Sequence, residues 1–432
     1  MSIFFKKKKR RRPASGELVT KRTEARSGGD AVESIYDEPQ APVNKRYKHA
    51  AVAVGITKYI VITVFFLFFM AMTLIYSSQI SIENYRYILK DMNVKIPTGI
   101  EEYGDIYYVA DMEQSYAIYR DDFVCVGRSA LEVVDLTGKE IQNTAVKYVN
   151  PRLVTSGKYM LVYDLSNTQY SIFNTFSCLG SVNTDYPVSC ADMNDDGYYL
   201  IVSRNAEYKS TVTVYNKEMK QVYEYKTNER NVYDVHLYDD GSFALYTCKS
   251  ENGLYCSEII KGSIKEQEVR TVFKRNGTMM LEAEHSSDGK VSVLCNDAIL
   301  FFSGDELISE YNYFGRVCRR FAAGDGNTAA VLSTEGAGAD SVLTVFDEDG
   351  KVIYEGSSNS DISALYCNEK NVYSIYTGNV QRFEINTGKT YVFDSGYETK
   401  GLVFVDNEVI LAATAGSAYP VSVYDDFREL VR

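Results

Sequence analysis

A strand–turn–strand pattern recurs along most of the chain and restricts its possible folds more than any other feature. In each copy, an apolar strand ending in Asp or Asn is followed by a tight turn and a second strand. The clearest copies are LEVVDLTGKEI (131–141), VTVYNKEMKQV (212–222), LTVFDEDGKVI (343–353) and RFEINTGKTYV (382–392), with weaker ones at 170–180 and 421–430. Beyond about Asp105, no stretch of ten or more residues has the apolar spacing of a helix. The pattern therefore predicts an all-β fold made of repeated antiparallel units.

A second recurring turn completes the repeated unit. It is the pair Asp196-Gly197, Asp240-Gly241, Asp288-Gly289 or Asp325-Gly326, and Asp-Gly favours tight turns between antiparallel strands. Together the two turns define a unit of four strands, about 40 residues long, which is the length of one propeller blade. First strands are expected to begin near Ser115, Arg152, Val188, Val232, Thr278, Val317, Asp361 and Lys400. The sequence thus predicts an eight-bladed β-propeller, with seven blades as the alternative.

The stretch GDIYYVADM (104–112) reads as a strand that precedes the first unit and belongs to none. The eighth unit supplies only three strands before the chain nearly stops. An open edge there would leave backbone groups unpaired and invite aggregation. We therefore expect Ile106–Ala110 to form the outer strand of the last blade, with Glu429–Arg432 as a shorter competitor for the same edge.

An apolar run near the N-terminus predicts a membrane span. Tyr59–Tyr76 contains 18 residues without a charge, and Ala50–Thr57 extends it backwards. A span needs about 20 apolar residues. A cleaved signal peptide fits poorly, because 58 residues precede the run and no small-residue cleavage site stands out after it.

The charges on the two sides of this run differ in sign. Residues 1–58 hold 14 Lys or Arg and 6 Asp or Glu, whereas the rest of the chain is acidic. The positive-inside rule then predicts a cytoplasmic N-terminus and an extracellular C-terminal domain. The acidic part would repel phosphate backbones, so nucleic-acid binding is not expected. The predicted organisation is a basic disordered tail (1–48), a transmembrane helix (49–80), a stalk (81–104) and an extracytoplasmic propeller (105–432).

Two motifs suggest ligands or cross-links, but each has a simpler interpretation. Asp192–Gly197 resembles the start of a calcium-binding loop, yet its twelfth position is Ser203 and no flanking helices are predicted. A hairpin turn explains it. Among the eight cysteines, Cys248 and Cys256 are the one local candidate for a disulfide, whereas most lie in apolar strands that suit buried thiols.

Titratable residues offer no defined active site. His236 and His285 fall on predicted inner strands, where either could line the central channel or serve as a structural polar residue. The carboxylates Asp111, Glu113, Asp234, Glu282 and Glu284 are candidates for acid–base chemistry, but their separation is not defined by sequence. We therefore predict no catalytic, cofactor-binding or metal-ligating residues and no cofactor. The 36 tyrosines and the lack of tryptophan suit protein interfaces better than sugar stacking.

The V-x-V-Y-D-x-x-G-K copies resemble the blades of quinoprotein-type and WD40- or YVTN-like propellers. Quinoprotein dehydrogenases also carry Trp docking motifs and often an adjacent Cys pair, which this chain lacks, so the resemblance does not imply redox catalysis. The complete layout is similar to that of single-pass, membrane-anchored propeller proteins of Gram-positive, clostridia-like bacteria, which are classed by a domain of unknown function. That resemblance implies the fold and the anchor but no active site.

Three functional hypotheses follow. The first is a non-catalytic binding or scaffolding module at the cell envelope, with a protein or peptide as partner. The second is an envelope hydrolase or lyase that uses channel carboxylates. The third is a transmembrane sensor whose tail binds a partner in the cytoplasm.

Overall fold

The computed structural model describes residues 45–75 and 100–430, apart from 287–288, 325, 335–339, 359–360, 377 and 395. Most of the predicted tail and stalk therefore lie outside the described residues. The chain forms two compact units, Met1–Val94 and Lys95–Arg432.

The described part of the first unit forms helix α1 (Lys45–Ile75). Its segment His49–Met72 has 24 residues with a mean hydropathy of 2.2. At 1.5 Å per residue this segment is about 36 Å long, which exceeds the roughly 30 Å hydrocarbon core of a bilayer. As predicted, a helix long and apolar enough to cross a membrane precedes the propeller.

The second unit is built almost entirely from short antiparallel strands. A 3-10 turn at Ile100–Glu102 and strand β1 (Ile106–Tyr107) precede the first blade. Blades 1 to 4 contain β2 (Ser115–Tyr119), β3 (Asp122–Val126), β4 (Ala130–Asp135) and β5 (Glu140–Ala145); β6 (Pro151–Thr155), β7 (Met160–Asp164), β8 (Gln169–Phe173) and β9 (Cys178–Asn183); β10 (Val188–Met193), β11 (Tyr199–Ser203), β12 (Ser210–Tyr215) and β13 (Gln221–Thr227); and β14 (Arg230–Leu237), β15 (Ser242–Glu251), β16 (Leu254–Ser263) and β17 (Val269–Asn276).

The remaining blades repeat this order. Blades 5 to 8 contain β18 (Met280–His285), β19 (Lys290–Cys295), β20 (Ala298–Ser303) and β21 (Glu306–Asn312); β22 (Val317–Gly324), β23 (Asn327–Ser333), β24 (Ser341–Asp347) and β25 (Val352–Ser358); β26 (Ile362–Cys367), β27 (Asn371–Tyr376), β28 (Asn379–Glu384) and β29 (Lys389–Phe393); and β30 (Gly401–Phe404), β31 (Val409–Ala413) and β32 (Ser417–Ser422). The last strand, β33 (Arg428–Glu429), follows them. The prediction of eight blades is confirmed, and every first strand begins within two residues of its expected position.

The ring is closed by the strand that the repeats left over. Strand β1 pairs with β32, with Ile106 opposite Ala418 and Tyr107 opposite Ser417. The Ile106 side chain is fully buried, and the Tyr108 hydroxyl lies 2.8 Å from the carbonyl oxygen of Ser417. The paired segment is shorter than the expected Ile106–Ala110. These contacts hold the start of the propeller against its last blade.

The C-terminal residues do not compete for that edge. Strand β33 pairs instead with β29, with Arg428 opposite Val392 and Glu429 opposite Tyr391, and so gives blade 7 a fifth strand. The two ends of the propeller thus extend neighbouring blades.

The core is divided between the blades. Eight clusters of buried hydrophobic side chains are present, one at each interface between neighbouring blades. The second strands are the most buried, and every residue of β3, β7 and β31 is buried. Two-sided burial explains why these strands are continuous apolar runs instead of alternating ones.

The repeated strand order gives the propeller two different faces. The turns that join first to second strands and third to fourth strands lie on one face. The hairpins between second and third strands, and the connections between blades, lie on the other. The four Asp-Gly turns belong to the first of these faces, and their glycines Gly197, Gly241, Gly289 and Gly326 each have a φ of 83°, a left-handed conformation that glycine adopts without strain.

Candidate functional site

Two histidines lie together on the wall of the central channel. His236 is on the inner strand β14 and His285 on the inner strand β18, and their rings stack with centroids 3.8 Å apart. His236 Nδ1 lies 3.0 Å from Asp192 Oδ2, and the Tyr246 hydroxyl lies 3.0 Å from His285 Nε2. Burial, with smaller contributions from His236 and Lys261, lowers the pKa of His285 to about 3. His285 is therefore neutral at neutral pH, and these contacts support a structural role for the pair.

Two aspartates in this region connect one blade to the next. Asp192 on β10 accepts a hydrogen bond from the backbone N–H of Leu237 at 2.8 Å. Asp234 on β14 accepts one from the N–H of Ala283 at 2.8 Å. Burial raises the pKa of Asp234 to about 6, against the lowering effect of its backbone hydrogen bonds. Their carboxylates are engaged in holding neighbouring inner strands together.

Asp111 and Glu113 are not part of this cluster. Both lie in the segment that joins β1 to β2. The carboxylate of Asp111 accepts hydrogen bonds from the backbone N–H groups of Met112 at 2.7 Å and Arg128 at 2.9 Å. The structure thus brings three of the five candidate carboxylates, Asp234, Glu282 and Glu284, to the same part of the channel.

A cavity of about 790 Å³ occupies the channel beside these carboxylates. Glu282 and Glu284 of β18 form one wall. The half-buried aromatic side chains Phe321, Tyr366 and Phe404, from the next three inner strands, line the rest. At the rim are polar residues from the turns between first and second strands: Asn368, Glu369, Asp406 and Asn407. The cavity therefore opens on the face that carries the Asp-Gly turns.

The two glutamate side chains are unusual because no basic side chain among the described residues pairs with them. Neither has a hydrogen bond or an ion pair with any residue that the structure describes. Burial raises the pKa of Glu284 to about 7, with further contributions from Glu282 and Asp234, and burial also raises the pKa of Glu282. Glu282 is nevertheless accessible to solvent within the channel. A positively charged ligand could therefore pair with these carboxylates.

The calcium-like motif at Asp192–Gly197 forms a hairpin turn. Asn194 Oδ1 accepts a hydrogen bond from the backbone N–H of Tyr198 at 3.0 Å, as in a hairpin turn. Among the described residues, no group of three or more His, Cys, Asp or Glu side chains could hold a metal ion.

Cys248 and Cys256 are both free thiols, so the candidate disulfide is absent. Cys178 is the one exposed cysteine of the eight, all of which the structure describes.

The face that carries the Asp-Gly turns is rich in exposed carboxylates. We call it the acidic face, after four pairs of consecutive acidic residues in its turns: Asp195 and Asp196, Asp239 and Asp240, Glu348 and Asp349, and Asp425 and Asp426. Among the exposed large hydrophobic side chains described, only Tyr424 lies in a turn of this face. The acidic face also contains the mouth of the cavity.

The opposite face carries large apolar side chains on its connections. We call it the apolar face, after its exposed residues Val109, Met112, Val149, Tyr186, Leu254, Tyr255, Phe314 and Tyr397. Leu254 and Tyr255 stand at the tip of the hairpin between β15 and β16, which at ten residues each are the longest strands described. The sequence alone did not predict these exposed apolar residues. Their signal is a large apolar residue inside a turn, as in YNYFGR (311–316).

Comparison with solved structures identifies the fold but no activity. The chain is similar to Sqt1 of Saccharomyces cerevisiae (10% identity, TM-score 0.52, covering 76% of this chain and 98% of that one). It is also similar to BamB of Moraxella catarrhalis (11% identity, TM-score 0.51, covering 74% and 99%) and to a eukaryotic initiation factor (10% identity, TM-score 0.51, covering 79% and 92%). At such low identity the likeness shows the fold alone.

Sequence comparison places the chain in one family. No curated protein matches it. A family model matches residues 101–414, which span nearly all of the propeller. The chain therefore belongs to a family of unknown function, DUF5711.

Proposed function

We propose that this protein is a membrane-tethered, non-catalytic binding module of the cell envelope. Its N-terminus lies in the cytoplasm, α1 crosses the membrane once, and the propeller lies outside the cell. There it recruits a protein or peptide partner through the apolar face. A β-propeller presents broad, rigid surfaces on which loops can carry binding residues, as binding and scaffolding proteins require.

The observation that carries this proposal is the exposure of large apolar side chains on the apolar face. Met112 is 83% exposed and Phe314 is 81% exposed. Single exposed apolar residues are common, whereas adjoining ones typically mark an interaction surface. Leu254 and Tyr255 adjoin at the tip of one hairpin, and both are exposed. Tyrosine, phenylalanine and methionine are also the residue types enriched at protein interfaces. The composition of this face therefore favours a protein or peptide partner.

Phe314 supports this interpretation through its backbone. Its φ is +53°, in the left-handed region that costs a non-glycine residue about 1–2 kcal/mol. Asparagine or glycine would relieve that cost. The Phe314 ring makes an edge-to-face contact with the Tyr311 ring, at a centroid distance of 6.2 Å, and is otherwise largely in solvent. A bulky aromatic residue so placed, in a strained conformation, contributes little to folding. We attribute its presence to contact with a partner.

The hydrolase or lyase alternative has one observation in its favour, the raised pKa of Glu284. A carboxyl group that holds its proton near neutral pH can act as a general acid. However, Glu282 and Glu284 leave the same strand only two residues apart, and the wall that faces them supplies aromatic rings. The other carboxylates of the lining, Glu369 and Asp406, stand at the rim. Glycoside hydrolysis needs carboxylates on both sides of the reacting bond. The cavity wall thus supports binding better than hydrolysis.

Site-specific photo-crosslinking in intact cells tests the binding proposal. A photoreactive amino acid replaces Tyr255 or Phe314 on the apolar face, and Tyr424 on the acidic face provides the matched aromatic control. We expect a shared adduct from Tyr255 and Phe314 and no such adduct from Tyr424. An adduct from Tyr424 alone would assign binding to the other face.

The proposed topology has a separate test, because Cys178 is the only exposed thiol. A membrane-impermeant maleimide should label the protein in intact cells, and Cys178→Ser should abolish the labelling. Labelling only after the cells are permeabilised would place the propeller in the cytoplasm.

A further inference from the structure

We infer that the channel cavity is a binding site for an organic cation, either an alkylammonium or a guanidinium group. This site lies on the acidic face and is independent of the partner surface proposed above. Two unpaired glutamates form one wall of the cavity and three aromatic rings line the remainder. A cation on a hydrocarbon body complements both kinds of wall.

The carboxylate wall favours a positive charge. Glu282 and Glu284 have no cationic partner among the described residues, although basic side chains lie nearby. The Arg320 guanidinium donates to the backbone carbonyl oxygens of Ser363 and Arg319 at 2.9 and 2.7 Å. Lys290 is paired with Glu348 and Asp349 at 3.0 and 2.8 Å. The hydrogen-bond donors of these basic groups are thus engaged elsewhere, which leaves both carboxylates open to a cationic ligand.

The aromatic wall favours an organic cation over a bare one. Tyr366 and Phe404 contact each other edge to face, with ring centroids 6.2 Å apart. Aromatic faces attract ammonium and guanidinium groups within about 6 Å of the ring centroid. The propeller already uses such contacts internally, since the buried Arg382 guanidinium lies 4.3 Å from the Tyr391 ring centroid and 5.3 Å from that of Phe427.

A metal ion fits the cavity poorly. Calcium takes six to eight oxygen ligands and magnesium six, whereas no group of three acidic, histidine or cysteine side chains among the described residues could hold an ion. The volume of about 790 Å³ lies within the range of small-molecule pockets, roughly 300–1,000 Å³. The site therefore suits a molecule of several carbon atoms, such as a polyamine or a lysine or arginine side chain.

The rim would assist the approach of such a ligand. Glu369 and Asp406 stand at the mouth of the cavity, and the acidic pairs surround it on the same face. A cleft lined by one sign of charge concentrates ligands of the opposite sign, and this steering weakens as salt screens it.

Binding should depend on pH because Glu284 titrates near neutrality. Its pKa of about 7 means that the carboxyl is mostly protonated at pH 6 and mostly ionised at pH 8. Two further carboxyl groups interact with Glu284: Glu282, whose pKa is also raised by burial, and Asp234, whose pKa of about 6 means that it gains negative charge early in this range. His285, the next residue along the strand, adds no positive charge, because its pKa is about 3. Cation affinity should therefore rise between pH 6 and pH 8.

The test uses the full chain in detergent and isothermal titration calorimetry at pH 8. The probes are spermidine and a blocked tripeptide, which is used both as Gly-Lys-Gly and as Gly-Arg-Gly. The lysine peptide acetylated on its side chain is the uncharged control. The Glu282→Gln/Glu284→Gln double variant removes the two charges at nearly constant volume. Glu306→Gln is the matched control, because Glu306 is an exposed carboxylate on the outer strand of the same blade.

We expect saturable binding of at least one probe, at least a tenfold loss in the double variant and no change in Glu306→Gln. Binding of spermidine alone identifies a free amine as the ligand class. Binding of the lysine or the arginine peptide without spermidine identifies a protein side chain. Absence of saturable binding by every probe, or equal affinity in the double variant, would overturn the inference.

A stability measurement verifies that the double variant is folded. The pKa of Glu284 is raised in the folded protein, from about 4.5 in the unfolded chain to about 7. Ionisation therefore destabilises the fold as pH rises through 7, and glutamine lacks this cost. The difference in Tm between the Glu282→Gln/Glu284→Gln double variant and the wild type should shift in favour of the variant between pH 6 and pH 8. A variant that melts far below the wild type at both pH values would instead require Glu282→Gln alone for the binding test.

Discussion

The exposed residues of the acidic face and of the apolar face have different roles. On the acidic face, many side chains are part of the turns. Asp135, Asn216 and Asp347 end the third strands of three blades, and each accepts hydrogen bonds from the backbone N–H groups two and four residues later. On the apolar face, exposed side chains such as Met112 and Phe314 lack the oxygen acceptors with which Asp and Asn close turns. Exposure alone thus means different things on the two faces.

Turn formation accounts for the Asp or Asn in the repeated sequence motif. The Asp or Asn of V-x-V-Y-D-x-x-G-K closes a turn by accepting hydrogen bonds from its own loop, which is a common use of these residues. Part of the negative charge of the acidic face is therefore a consequence of turn formation. Most of the acidic pairs also serve the backbone, since Asp195, Asp239 and Asp240 each accept a hydrogen bond from a backbone N–H group. The glutamates in the channel accept none from the residues that the structure describes and need a different explanation.

The largest expected effect is on a turn residue of the acidic face. Asp347→Ala removes the acceptor for the N–H groups of Asp349 and Lys351, which lie 3.1 and 2.8 Å from Asp347 Oδ1. We expect the free energy of unfolding to fall by about 1–2 kcal/mol, measured by chemical denaturation. Asp347→Asn keeps an acceptor and should recover most of the loss. Equal losses for both variants would mean that charge, and not turn formation, matters there.

A smaller effect of opposite sign is expected on the apolar face. Phe314→Asn places a residue that tolerates positive φ in a strained position, so we expect the free energy of unfolding to rise by about 0.5–1 kcal/mol. The same substitution should weaken partner binding. Destabilisation instead would show that Phe314 contributes to folding, and the contrast between the two faces would fail at this position.

The smallest effect is expected for an acidic pair that lies outside the turn hydrogen bonds. Glu348→Gln/Asp349→Asn removes two carboxylates that pair with Lys290, but both are exposed. Exposed ion pairs contribute about 0–1 kcal/mol. The variant should unfold within about 0.5 kcal/mol of the wild type. If the free energy of unfolding fell as much as for Asp347→Ala, the exposed acidic pairs would also contribute to folding, and the contrast between the faces would be lost.

The fold was predictable because its signals are local and repeated. Asp-Gly turns such as Asp240-Gly241 and the Asp or Asn at the end of third strands are determined by neighbouring residues, so they recur at a fixed spacing. Ring closure by Ile106 and Tyr107 followed from the need to pair an open edge. The pairing of β33 with blade 7 was missed, because a short strand has no pattern that identifies its neighbour.

The candidate sites were less predictable because they depend on convergence in space. Glu282 and Glu284 stood out as carboxylates, but the sequence did not place them opposite Tyr366 and Phe404, which follow about 80 and 120 residues later. The same holds for the apolar face, where residues as far apart as Met112 and Tyr397 share one surface only because the ring closes.

The most direct test of the proposed function compares the two faces in one assay. Once photo-crosslinking has identified the partner, its affinity for the full chain is measured for the wild type, for Tyr255→Ser/Phe314→Asn and for Tyr424→Ser. We predict at least a tenfold loss for the double variant on the apolar face and an unchanged affinity for Tyr424→Ser. A loss in Tyr424→Ser with full binding by the double variant would contradict the assignment of the apolar face as the binding surface.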